Sequence, residues 1–121
     1  MRVATAILFS VIAIASVHGQ TDEENSANSL FLGCKAFAEG QVSMNNVSAA
    51  NYCSGILNAL GSVSALLPPA LRSCVPPDAT GQQEALVVIR YLENNAALMN
   101  KDFRTLTLYA YQQAWPCGAQ R

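Results

Sequence analysis

The chain has 121 residues, of which 51% are hydrophobic and 12% charged, with seven Lys and Arg against eight Asp and Glu and a single His. That length supports one hydrophobic core and no second domain. A net charge of -1 offers no basic field for a phosphate backbone, which excludes nucleic acid as a primary partner, and the apolar fraction excludes a disordered chain.

Met1 and Arg2 precede a mostly apolar stretch over residues 3–17, and small residues then lead into a polar, acidic segment. This is the layout of a secretory signal peptide, expected over residues 1–19, because a membrane span needs about 20 apolar residues and no Lys or Arg stop signal follows. Val17 and Gly19 fit the two positions that cleavage requires to be small, and a cut after Ala15 is the alternative. Cleavage at Gly19 removes His18 and Arg2, leaving six positive against eight negative residues and no imidazole. Histidine-dependent nucleophilic catalysis and mixed His sites for zinc are then closed to the exported chain, which is expected to be periplasmic with no membrane contact after cleavage.

Residues 20–29 show no apolar period and carry Asp22, Glu23 and Glu24, so they are expected to form a flexible polar tail. The domain is expected over residues 30–117, with residues 118–121 as a C-terminal tail. Leu30, Phe31, Cys34, Phe37 and Ala38 recur at helical spacing, and Gly40 supplies a left-handed stop. A second helical stripe runs through Cys53, Ile56, Leu57, Leu60, Val63, Ser64 and Leu67 until Pro68 and Pro69 end it. On it Gly55, Ala59 and Gly61 would permit close approach of a neighbouring helix.

Pro76 and Pro77 mark residues 71–79 as an irregular connection. Thr80 and Gln83 have the spacing of a capping box, so a third helix starts there, with Ala85, Val88, Ile89 and Leu92 as its core stripe. Residues 86–89 read alone fit a strand, but the capping box and the continuation to Leu92 favour helix. Asn94 and Asn95 are stop signals, after which Phe103, Leu106, Thr107, Ala110 and Ala114 define a fourth helix ended by Pro116. The fold class is all-α, a compact four-helix domain of two helical hairpins.

Four cysteines in an exported chain of this size should pair, and four allow three connectivities. Cys34 lies six residues before Gly40 and Cys53 six after Val47, so folding the first two helices together brings them level. Cys74 precedes helix three and Cys117 follows helix four, which places them at one end of the second hairpin. Cys34 with Cys53 and Cys74 with Cys117 are therefore the expected bridges, each stapling one hairpin. A redox or metal role would want a Cys-x-x-Cys pair or clustered ligands, and the sequence has neither.

The search for chemistry finds no Gly-rich phosphate loop, paired carboxylate motif or nucleophile elbow, so no catalytic residue, metal or cofactor is expected. Among the acids of the C-terminal half, Glu84 has no assigned role, Glu93 reads as solvated and Asp102 as complementing a helix N-terminus. Leu86 and Val87 widen the apolar face of helix three, and Leu108, Tyr111 and Trp115 form a second stripe on helix four. With so little charge on the surface, these five residues are the expected interface of a homodimer. Asn46, Val47 and Ser48 form a glycosylation sequon that is treated as incidental.

The Cys34 helix, the segment Cys53, Ser54, Gly55, Ile56, then Cys74, Val75, Pro76 leading through Gly81 and Gln82 to residues 87–92 and a terminal Trp115, Pro116, Cys117 carry a family likeness. They resemble the periplasmic immunity proteins, Rap1a/Tai-like, that neutralise peptidoglycan amidase toxins of type VI secretion. The resemblance covers residues 30–117. It implies an all-helical, usually dimeric, non-enzymatic protein that binds a cognate amidase and blocks its active-site cleft. Helix four here begins without the proline or histidine often found in that connection, and Trp115 stands where phenylalanine is common; both departures touch the contact surface and not the scaffold.

On this reading residues 94–101 meet the toxin, with Asn94, Asn95, Asn100 and Lys101 supplying hydrogen bonds around Leu98 and Met99. The alternative from another class is a periplasmic chaperone or stress protein that dissociates to bind unfolded clients. Without histidine its acid trigger would have to be a carboxylate.

Overall fold

The computed structural model describes residues 23–118. Four α-helices form the domain: α1 (Ala27–Glu39), α2 (Val47–Val63), α3 (Gly81–Asn94) and α4 (Phe103–Ala114), with short 3-10 turns at Ser64–Leu66 and Ala96–Leu98. The expected all-α class holds, and the described residues contain no strand, only an isolated antiparallel bridge between Ser26 and Asp102. The expected signal peptide and residues 119–121 lie outside the described residues.

Local signals account for the helix ends. Gly40 takes the left-handed conformation at φ 68°, which lets its own N–H reach Phe37 O and that of Gln41 reach Ala36 O, satisfying the last carbonyls of α1. The capping box at α3 is complete: Gln83 N–H donates to Thr80 Oγ1 at 3.2 Å, and Thr80 N–H donates to Gln83 Oε1 at 2.8 Å. Asp102 caps α4 by accepting from Thr105 N–H at 3.1 Å, which agrees with the role expected of it.

The start of α1 corrects the expected tail. Residues 20–29 look polar and aperiodic, yet Ser26 caps a helix that begins at Ala27, and Asn25, Ser26 and Ala27 are buried. Asn25 O accepts from Phe103 N–H, and Asn25 Oδ1 accepts from Tyr52 O–H at 2.6 Å. The polar groups are thus satisfied by α2 and α4, and a segment that composition marks as solvated lies against the core.

That core is built from Leu30, Cys34, Leu57, Val88, Leu92, Phe103 and Leu106 among others, drawn from all four helices. α1 packs most extensively on α2 and next on α3, so it is the helix through which the first pair meets the second. The helices α1 and α2 approach so closely at Gly33 that a Cβ there would stand 2.4 Å from Ala49 Cβ. Of the positions expected to allow such an approach, Gly55 faces open space, whereas Gly61 lies against the Glu84 side chain of α3.

The expected pairing of cysteines is the observed one. Cys34 joins Cys53 with Cα atoms 5.4 Å apart, and Cys74 joins Cys117 with Cα atoms 5.2 Å apart. Closing loops of 19 and 43 residues contributes roughly 3 and 4 kcal/mol by restricting the unfolded chain. The second bridge is reinforced by Cys74 N–H donating to Trp115 O at 2.8 Å. Among the described residues no helix is long and apolar enough to cross a membrane.

Candidate functional site

Three surface features are built on this frame: the connection between α3 and α4, a groove beside Trp115, and a cleft at the start of α3. The connection is short and clamped. Asn95 closes α3 by donating from Nδ2 to Tyr91 O at 2.8 Å, and the start of α1 holds the rest through Asn28 N–H to Met99 O and Ala27 N–H to Lys101 O, at 2.8 and 2.9 Å. The six residues expected to meet a partner therefore sort into two sets. Asn94, Asn100 and Lys101 are exposed. Leu98 and Met99 pack against the core cluster, and Asn95 is half-buried, so these three position the loop. Leu98 and Met99, expected as the apolar centre of the contact surface, are half-buried, since packing against the core takes part of their apolar area out of water.

The expected dimer residues sort as well. Leu86, Val87 and Trp115 line one groove of about 350 Å³ together with Pro76, Asp78, Ala79, Gln83 and Arg90. Leu108 is half-buried and does not line this groove. Tyr111 is fully buried and cannot present itself to a second copy. Its ring tilts against Trp115 with centroids 5.5 Å apart, while its hydroxyl points inward to the Glu84 carboxylate and lies 3.4 Å from Leu57 O. A tyrosine can fill a core once its hydroxyl has a partner, and Glu84 is that partner.

Glu84 was legible only as an acid without a role. It lies four residues before Val88 and eight before Leu92, on the buried stripe of α3, and that position is the signal that marks it. Its carboxylate closes one end of a cleft of about 390 Å³ between the end of α2 and residues 75–79, lined by Asn58, Gly61, Ser62, Ser64, Ala65, Val75, Pro76, Pro77 and Ala79. Burial pushes the Glu84 carboxyl above its ordinary value, and the Tyr111 hydrogen bond works in the opposite direction. Burial, followed by the neighbouring Glu84, pushes the Tyr111 hydroxyl upward, so it remains a protonated donor. Asp102 behaves in the contrary way: the Arg104 guanidinium, bonded to it at 2.5 Å, holds its carboxyl below the usual range. The described residues contain no cluster of three or more His, Cys, Asp or Glu that could hold a metal, and no free cysteine.

Fold and surface together define a small, disulfide-stapled helical protein whose distinctive residues sit on a clamped loop, a groove and a cleft. The family model for Rap1a immunity proteins matches residues 22–117, and the chain belongs to that family. This is a family of toxin-neutralising proteins that are generally non-enzymatic and typically periplasmic. No curated protein and no solved structure matches the chain.

Proposed function

We propose that the protein neutralises a peptidoglycan amidase effector of type VI secretion by occupying its active-site cleft, after export to the periplasm and removal of residues 1–19. The family match over residues 22–117 carries this reading. The surface that serves it best is the 94–101 connection, where Asn94, Asn100 and Lys101 stand out from a backbone clamped to α1. A loop already fixed before contact loses little conformational freedom on entering a cleft, which favours occlusion over a rearranging contact. In the homodimer we place Leu86, Val87 and Trp115 at the interface, with Tyr111 acting from inside by bracing the Trp115 ring.

The test is inhibition of peptidoglycan hydrolysis by any amidase found encoded beside this chain's gene, with affinity followed by calorimetry. The double variant Asn100→Arg, Lys101→Glu changes only exposed side chains and is expected to abolish inhibition with an unchanged melting temperature. Full inhibition by that variant moves the contact off this loop. No binding of any amidase removes the proposed partner.

The chaperone alternative would need a carboxylate whose protonation loosens the fold. Of the two carboxyls with shifted values, Glu84 acts in the other sense, its protonation favouring the folded state, so this alternative rests on Asp102, whose protonation weakens its pairing with Arg104.

A further inference from the structure

The cleft at the start of α3 holds an acid with no cation to pair with. Glu84 is 9% exposed, and its side-chain partner is the Tyr111 hydroxyl; the salt bridges among the described residues, Lys35 with Glu93 and Arg104 with Asp102, involve other acids. Gly61 makes room for it, since a Cβ there would lie 2.7 Å from Glu84 Oε2. Among the described residues, Glu84 is also the only charged side chain lining the cleft.

The walls are richer in acceptors than in donors, the Asn58 side-chain amide being the side-chain donor left to the cleft. Pro76 and Pro77 have no N–H. The hydroxyls of Ser62 and Ser64 donate backward, to Asn58 O at 2.6 Å and Gly61 O at 3.0 Å, which leaves their oxygen lone pairs to the cleft. A carboxylate among hydroxyl oxygens and prolines suits a ligand that brings its own donors and a positive charge.

We propose that this cleft receives the ammonium or guanidinium of a basic side chain from a partner protein, ion-paired to Glu84. Exposed apolar side chains next in sequence to the wall residues argue for a protein as the source of the cation. Ala65 of the wall is followed by Leu66, 83% exposed, and Val63, 41% exposed, lies between Ser62 and Ser64. A protein surface covers these exposed apolar side chains while its basic side chain enters; a free amine leaves them wet. Glu84 and Asn94 are ten residues apart on α3, about 15 Å along the helix, so this contact is separate from the loop assigned to the amidase and stands or falls independently of it.

The experiment is a heteronuclear NMR titration of the disulfide-bonded protein with Nα-acetyl-lysinamide and its neutral isostere Nα-acetyl-norleucinamide. Lysinamide is expected to move the amide signals of Gly61, Ser62 and Ala79, and norleucinamide to leave them in place. Glu84→Gln keeps an acceptor for Tyr111 and should weaken the response at least about tenfold, the loss of one charge-assisted hydrogen bond. Ser62→Arg, at an exposed position, places a guanidinium at the cleft mouth and should abolish the response even if the Gln variant fails to fold. A peptide with lysine between two leucines should bind tighter than lysinamide, and Leu66→Asp should erase that gain. Equal shifts from the neutral isostere, or an unchanged response in Ser62→Arg, overturns the cation site; no gain from the peptide overturns the protein partner.

Discussion

The two helix pairs are each closed by one disulfide, but the bridges live in unlike surroundings. Cys34 and Cys53 are fully buried in the core beside the tight contact of Gly33 with Ala49, whereas Cys74 and Cys117 are half-buried and join segments outside the helices. Loop entropy ranks the second bridge higher, because it closes 43 residues against 19. Packing ranks the first higher, because its sulfurs fill core volume as well as joining the chain. The first bridge is part of the interior, and the second is a clasp on an irregular connection.

Replacing each pair by alanine separates these contributions, with stability read from denaturant unfolding. Removing Cys34 and Cys53 is expected to cost about 5 kcal/mol, the sum of lost loop closure and lost packing. Removing Cys74 and Cys117 is expected to cost about 4 kcal/mol from loop closure alone. The reverse order would mean that chain entropy outweighs core filling here.

A smaller effect sharpens the contrast inside the first pair. Gly33→Ala drives a methyl into the Ala49 side chain and backbone and should cost about 3 kcal/mol, since backbone cannot yield as a flexible side chain does. Gly55→Ala meets open space within α2 and should instead stabilise by about 0.5–1 kcal/mol through helix propensity. Equal effects at the two glycines would remove the close approach as the reason for Gly33.

The smallest effect concerns the acids at the starts of α3 and α4, which titrate with opposite sign. Glu84 has a raised carboxyl in the folded state, so the stability it contributes is fully present below its ordinary value of 4.5 and is lost as pH rises through the raised one. Asp102 has a lowered carboxyl, so its contribution is present above 3.8 and is lost as pH falls through the lowered one. Relative to Glu84→Gln, the native chain should lose stability as pH rises above 4.5; relative to Asp102→Asn, it should lose stability as pH falls below 3.8. Parallel difference curves would show that Glu84 is not desolvated.

Much of the scaffold was legible along the chain. The stop at Gly40, the capping box of Thr80 and Gln83 and the cap at Asp102 are each decided within a few residues, and each is formed as the spacing predicts. The cysteine pairing was legible because consecutive helices joined by short connections leave few ways to bring sulfurs together. The candidate surfaces were harder. Tyr111 and Trp115 fall on one stripe of the helix expected from sequence, yet Tyr111 is buried within α4 while Trp115 follows its end and lines a groove. Leu98 and Met99 sit in a connection that looks free in sequence, yet they reach the core because α1 holds their backbone down.

The sequence by itself determined four helices, their caps, two disulfides and the immunity family, because periodicity, capping chemistry and cysteine placement act locally or through covalent bonds. Tertiary structure alone decided that the polar segment at Asn25 is buried, that Tyr111 turns inward and that Glu84 closes a cleft without a cation. Each of these depends on which groups from distant helices arrive to satisfy a polar atom. Tyr52 and Phe103 do so for Asn25, and Tyr111 does so for Glu84. No local pattern encodes that arrival, since the partners lie 27 or more residues away along the chain.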